Sequence, residues 1–152
     1  MMPAALIVYL LGVVPMLESW QESRSAAAGA NAPLVLYVSR TDCSFCQRFE
    51  TRVLGPVMAS GLYADVVIRE VVLDATPGET LMPLADSMAE FVDRFEVAGT
   101  PTVLFLDPQG SEIARRYVGY SDNDFSQYRL ERSLRSARKA LTARPQLSSY
   151  VR

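Results

Sequence analysis

The chain contains no histidine, and that absence removes more chemistry than any single motif could add. It excludes a Ser-His-Asp triad, a Cys-His protease pair and a His-ligated zinc built from this chain alone. It also excludes covalent haem attachment at a CxxCH site, because Gln47 follows Cys46. Cysteine is scarce as well: the two present, Cys43 and Cys46, cannot make a four-cysteine zinc site without a second chain. Lys139 is the single lysine, so nearly all of the positive charge is arginine. With a formal net charge of −2 there is no broad basic field, which argues against nucleic acid as a partner. What remains of the catalytic repertoire is the stretch "TDCSFCQ" at 41–47.

The 152 residues, 49% of them hydrophobic, suit one compact domain with an additional segment. That segment is N-terminal. Residues 2–17 carry no charge, and the apolar run 4–14 has the length of a secretory hydrophobic region but is short for a membrane span. The small-residue stretch "SAAAGANA" at 25–32 offers cleavage sites after Ala28, Ala30 or Ala32. No basic residue precedes the apolar run, and these sites lie far beyond it, so a retained signal-anchor competes with a cleaved signal peptide. A buried helix of a cytosolic protein is the third possibility. Residues 1–32 are thus assigned to a signal peptide or anchor plus a flexible linker over 23–32, residues 33–143 to the domain, and 144–152 to a tail.

Within the domain, "PLVLYVS" (33–39) is a continuous apolar run of the kind found in a strand buried on both faces. A helix is predicted from Cys43, with Phe49 and Val53 inward and Arg48, Glu50 and Arg52 facing water, broken at Gly55-Pro56, where Pro56 opens a further turn that ends at Gly61. The β-branched segment 64–75 reads as the next strand. Leu81, Leu84, Ala85, Met88, Phe91, Val92 and Phe95 recur at helical spacing. Residues 99–120 read as a hairpin with strands over 102–106 and 112–118 around the turn 107–110. Ser121 is a candidate cap, with Asp124 three residues on, for a last helix reaching Leu141; Phe125, Tyr128, Leu134, Ala137 and Leu141 are its expected buried side. The order β-α-β-α-β-β-α implies a parallel strand pair with a right-handed crossover plus an antiparallel hairpin, an α/β sandwich with helices on both faces of a mixed central sheet.

Placed after a buried strand, Cys43 falls at the first turn of a helix, where unpaired N–H groups and the helix dipole stabilise a thiolate. Cys46 lies one turn later on nearly the same face and more sheltered. This arrangement suits a two-step exchange in which Cys43 attacks a disulfide and Cys46 resolves the mixed disulfide. Asp42 opposes the thiolate if it points at Cys43, and Arg40 and Arg48 favour it if they approach. The same CxxC spacing also serves metal sites.

The companion motif is "GTPT", 99–102, at the approach to a strand. Taken with the CxxC and the element order, these residues resemble the thioredoxin superfamily, in which a cis-proline loop faces the CxxC; Pro101 is the matching residue. The resemblance implies that Pro101 keeps metals from the thiols and that Thr100 presents its backbone to an extended substrate segment. Within the superfamily the chain is most similar to periplasmic SoxW-type thioredoxin-like proteins, over about 34–141. This likeness rests on "CSFC" with Phe45 as the aromatic third residue, "LGPV", "RFEVAGTPTVLFLDPQG" and the "GY" before the last helix. It implies a thioredoxin-like three-layer sandwich and a thiol–disulfide oxidoreductase acting on protein or small-molecule disulfides outside the cytoplasm. The implied catalytic residues are Cys43 and Cys46, with substrate contacts at Thr100, Pro101 and Phe45. No cofactor is implied, and a membrane thiol-transfer protein is the implied electron donor. Asp42 replaces the tryptophan that precedes the typical active site, and Ser44-Phe45 replaces Gly-Pro. Tyr37 stands where thioredoxins bury an acid, and Glu70 near their conserved lysine. Two other readings stay open: a copper-delivery module using the two cysteines as soft ligands, and a non-catalytic binding module with a permanent crosslink.

Overall fold

A computed structural model describes residues 13–123 and 125–143. The apolar run up to residue 12, the proposed capping role of Asp124 and the tail from 144 lie outside the described residues. Four strands form one sheet in the order β2-β1-β3-β4. β1 (Leu34–Ser39) is buried at every position and occupies the middle, as its uninterrupted apolar sequence requires. It pairs in parallel with β2 (Val67–Val72), placing Tyr37 beside Glu70, and antiparallel with β3 (Thr102–Leu106). The mixed sheet and its helical layers match the expected sandwich.

The period of two along β1 separates two cores. Val35 and Tyr37 face a layer formed by the helix after Cys43 and the last helix, where Phe49, Val53, Met58, Leu130 and Leu134 are buried. Leu34, Leu36 and Val38 face the opposite layer, with Leu81, Leu84, Phe91 and Phe95. Helix α1 (Trp20–Ala30) belongs to this second layer. The expected linker over 23–32 is therefore corrected: most of it is helical, and its inner side is core. Ser19 caps the helix by accepting from the Glu22 N–H, and Asn31 ends it in the left-handed conformation. Alanine, which reads as flexibility in a Gly/Ser context, is here what it intrinsically is, a strong helix former. Leu17 and Trp20 are each 2% exposed and Ala27 is fully buried, which fixes the helix to the sheet. Just before it, the Leu17 N–H donates to Glu70 O and Pro15 O accepts from the Glu70 N–H, so the N-terminal segment covers the free edge of β2.

Three further expectations are corrected. The helix after Cys43 does not stop at Gly55-Pro56: α2 (Ser44–Phe49) passes through a π-helical turn (Glu50–Leu54) into α3 (Gly55–Ala59), Pro56 sitting where a missing N–H is tolerated. The helix expected from Leu81 begins later, because Pro83 interrupts it; a short 3₁₀ turn (Gly78–Leu81) comes first, and α4 (Met88–Arg94) starts at the Ser87 cap. Ser87 accepts from Glu90 N–H, and the Glu90 carboxylate reaches back to Asp86 N–H. In the last helix, α5 (Phe125–Thr142), Phe125 and Tyr128 are exposed and Leu141 is partly buried, while Leu130, Leu134 and Ala137 are buried with Ser126 and Ser133. The hydrophobic pattern alone misplaced that stripe by part of a turn.

The second hairpin arm is shorter than expected. β4 covers only Tyr117–Val118, with one bridge from Leu106 to Glu112. Its turn is built by Asp107, whose carboxylate accepts from the N–H groups of Gln109 and Ser111. Gly110 closes the turn at φ 88°, and a Cβ there would stand 2.6 Å from Leu84 Cδ1 and 3.4 Å from the Trp20 ring. Leu84 can rotate away, but the positive φ cannot be relieved. Gly110→Ala is expected to cost about 1–3 kcal/mol, read as a lower urea midpoint at unchanged slope; an unchanged midpoint would show that the turn relaxes freely.

Candidate active site

The end of β1 delivers the chain to Cys43 through a loop tied down by Asp74, just beyond β2. The Asp74 carboxylate accepts from both the N–H and the hydroxyl of Thr41, and these bonds hold its carboxyl below the usual range. Nothing in the sequence singled out Asp74; an aspartate after a strand reads simply as a turn residue.

Cys43 is the N-cap of α2. Its extended backbone (φ −137°, ψ 96°) turns Sγ over the first helical turn, where it accepts from the Cys46 N–H at 3.1 Å. The same position that suits a capping oxygen thus holds sulfur. Cys43 and Cys46 are joined as a disulfide with Cα atoms 5.2 Å apart. The two differ in access: Cys43 is half-buried, whereas Cys46 is only 2% exposed.

Facing Cys43 is the loop before β3. The Thr100–Pro101 peptide bond is cis. Thr100 Oγ1 stands 3.4 Å from Cys43 Sγ and the Thr100 carbonyl oxygen 3.9 Å from it. Since a disulfide sulfur carries no proton, the hydroxyl is the donor in this oxidised form. Thr102 Oγ1 donates to Gly99 O and closes the loop, while Pro101 O accepts from the Gly119 N–H and ties it to β4. Phe45 is 53% exposed beside the two cysteines, and Val118, opposite Thr102 in the ladder, is also exposed. The fold therefore brings Cys43, Cys46, Thr100 and Pro101 together, with Phe45 on the same helix turn. Arg40, Asp42 and Arg48 are exposed. The charge of Arg40 acts on Asp74, and that of Arg48 on Asp122.

Behind Cys46 lies a polar cluster only half visible in the sequence. The Tyr37 hydroxyl donates to Glu50 Oε1 at 2.6 Å and lies 3.4 Å from the Cys46 carbonyl oxygen. Burial, the bond to Glu50 and the negative charges of Glu50 and Glu70 all raise the Tyr37 pKa, so the phenol stays a neutral donor. Glu50, expected to face water, instead turns inward. It follows Cys46 by four residues and so shares its helix face. A carboxylate from the helix thus stands against Tyr37, the residue that replaces the acid.

Next to it, the Ser39 hydroxyl donates to Glu70 Oε1 at 2.6 Å. Burial raises the Glu70 pKa, the Ser39 bond partly offsets this, and the Glu50 charge adds to it. A carboxyl whose pKa is raised on folding binds its proton more tightly in the native state. Its contribution is therefore fully present below the unfolded pKa and is lost as pH rises through the folded one. Glu70→Gln, which keeps an acceptor for Ser39, is expected to raise stability at pH 7 relative to pH 4. Urea titrations at the two pH values check this, and a variant that loses stability at pH 7 would contradict it.

Among the described residues no group of three or more Cys, Asp or Glu side chains is placed to hold a metal ion. A parallel-plus-antiparallel sheet between helical layers, with a CxxC at a helix start facing a proline loop, defines a thioredoxin-like protein. The profile of the thioredoxin-like domain family matches residues 20–132, beginning at the first residue of α1, and the chain belongs to that family. No curated protein matches it significantly in sequence. Among solved structures it is similar to one titled DsbH oxidoreductase (19% identity, 87% of this chain and 88% of that one, TM-score 0.59). It is also similar to a thioredoxin from Thermus thermophilus (25% identity, 80% and 85%, TM-score 0.58). A poplar thioredoxin h mutant gives 16% identity, 84% and 79% coverage, and a TM-score of 0.56. With this fold and a CxxC disulfide, the chain has the equipment of a thiol–disulfide oxidoreductase.

Proposed function

We propose that the protein reduces protein or small-molecule disulfides outside the cytoplasm, held at the membrane by its N-terminal apolar run, in the manner of the SoxW-type proteins it resembles. The observation that carries the redox reading is the asymmetry of the pair: a half-buried Cys43 sulfur at a helix N-cap facing Thr100, with Cys46 buried one turn behind it. In the reduced protein the Cys43 thiolate attacks one sulfur of the substrate disulfide, and the first substrate thiolate leaves. Cys46 then gives up its proton and attacks Cys43 Sγ, releasing the second substrate thiolate and leaving the disulfide seen here. Two electrons pass to substrate, and a membrane thiol-transfer protein returns them. Thr100 and Pro101 supply the surface on which an extended substrate segment lies, with Phe45 beside it.

Glu50 takes the proton of Cys46 in this scheme, and Tyr37 holds its carboxylate in place. Tyr37→Phe and Glu50→Gln are expected to slow release of the second thiolate by about tenfold or more, while leaving formation of the mixed disulfide unchanged. Stopped-flow with a chromogenic disulfide separates the two steps. Equal slowing of both would assign the pair a purely structural role.

Retention of the N-terminal segment, rather than cleavage at the small-residue sites, is supported by the packing of α1. Cleavage after Ala28 or Ala30 would cut within or at the end of that helix, and cleavage after Ala32 would remove it whole, with buried Trp20 and Ala27. Retention of the N-terminal run as an anchor leaves the fold intact. Among the described residues no helix is long and apolar enough to cross a membrane. The activity test is reduction of insulin by the full chain with dithiothreitol as electron source. Precipitation well ahead of the dithiothreitol control is expected, and a rate equal to the control would overturn the reading. For location, external protease added to spheroplasts should degrade a membrane-sedimenting protein; full protection would contradict the proposal.

A further inference from the structure

A second site lies away from the cysteines, between the short β4 arm and α5. It is a pocket of about 410 Å³, the size of a small-ligand site, and four arginines line it: Arg115, Arg116, Arg129 and Arg132. Such a concentration of positive charge is unexpected in a chain of net charge −2. Helix geometry produces part of it, since Arg129 and Arg132 are three residues apart on one face. The walls are fixed to each other by Ser133, whose hydroxyl donates to Arg115 O at 2.7 Å. Arg116 is engaged, by Glu112 and by the Phe95 carbonyl. Arg129 lies over the Tyr117 ring, 4.8 Å from its centre. Among the described residues, Arg115 and Arg132 have no carboxylate partner, and Glu131, the acid beside Arg132 in sequence, is taken by Arg135.

A second observation is independent of the arginines. Tyr117, also in the lining, is 2% exposed, and among the described residues its hydroxyl has no hydrogen-bond partner. A buried hydroxyl is rarely left without one, because the loss of water is then uncompensated. We infer that this pocket binds a phosphate group, with the Arg115 and Arg132 guanidiniums as its main ligands and the Tyr117 hydroxyl as a further donor. Guanidinium forks match phosphate oxygens in pairs, and two such forks without carboxylate partners in the lining of one pocket suit a multiply charged oxyanion better than a single carboxylate. The phosphate belongs either to a soluble ester or to a lipid headgroup. Tyr117 also packs against Phe49 of the active-site helix, with ring centres 4.9 Å apart.

The test is calorimetric titration of the full chain with inorganic pyrophosphate at low ionic strength. Saturable one-to-one binding is expected, weakened about tenfold or more in the Arg115→Gln/Arg132→Gln double variant. Tyr117→Phe, which keeps the ring, is expected to weaken it to a smaller extent. Arg135→Gln, outside the pocket, is expected to leave it unchanged. A second arm sediments the protein with phosphatidylglycerol or phosphatidylcholine vesicles, using the double variant to subtract any contribution of the N-terminal run. Arginine-dependent association with the anionic vesicles, competed by pyrophosphate, assigns the phosphate to a lipid; pyrophosphate binding without it assigns a soluble ligand. No saturable binding in either arm, or equal weakening by Arg135→Gln, overturns the site.

Discussion

Cys43→Ser is expected to lower disulfide reduction by at least about a thousandfold, the scale on which loss of a covalent nucleophile acts. A serine hydroxyl at the same N-cap keeps the cap, since oxygen accepts the Cys46 N–H as well as sulfur does, so folding should be spared while chemistry is lost. Cys46→Ser has a different signature. Cys43 still attacks, but nothing resolves the product, and a protein–substrate mixed disulfide accumulates in one-to-one amount. Mass spectrometry after mixing each variant with an oxidised peptide distinguishes them: an adduct with Cys46→Ser, none with Cys43→Ser. The reverse pattern would exchange the roles of the two cysteines, and an adduct with neither would remove the catalytic reading.

The second large effect concerns the N-terminal helix. Removal of residues 1–32 is expected to leave a chain that does not fold stably. Leu17 and Trp20 are nearly as buried as the centre of the sheet. Deleting a buried leucine costs about 2–5 kcal/mol and a buried tryptophan about 3–5 kcal/mol, together comparable with the whole stability of a typical domain. Truncation also strips the backbone bonds from Pro15 and Leu17 to Glu70, exposing the β2 edge to other chains. Because truncation is a blunt change, Trp20→Ala in the full chain provides the quantitative version, with an expected loss of about 3–5 kcal/mol by urea unfolding. A chain starting at residue 33 that unfolds at the same urea concentration as the full protein would contradict this, and would restore cleavage after Ala32.

The sheet was legible because its information is local. The unbroken apolar run 33–39, bounded by a proline and rich in β-branched and aromatic residues, reads as a central strand, and the Asp107-to-Gly110 turn sends the chain back antiparallel to β3. That Cys43, Cys46 and Pro101 come together was legible for a related reason: the cysteine spacing is short and the proline motif compact. What was missed depends on contacts across the fold. Glu50 reads as a water-facing helix residue until Tyr37 is found opposite it. Asp74 acquires its role from Thr41, thirty-three residues away. The "SAAAGANA" stretch has the composition of a linker, and only Trp20, packed near Leu84 and Gly110, shows that it is the tail of a docked helix. Pro83 was a local signal that the periodicity of its apolar neighbours obscured.

The most direct test of the central claim is the redox equilibrium of the Cys43–Cys46 pair. The full chain is equilibrated in graded dithiothreitol buffers, its free thiols are alkylated, and the masses are counted. The account predicts a two-electron transition in which both thiols appear together, at a potential near that of thioredoxin, about −270 mV. A potential toward about −120 mV would make the protein an oxidant and contradict the proposed direction. A pair that never opens would contradict the oxidoreductase itself.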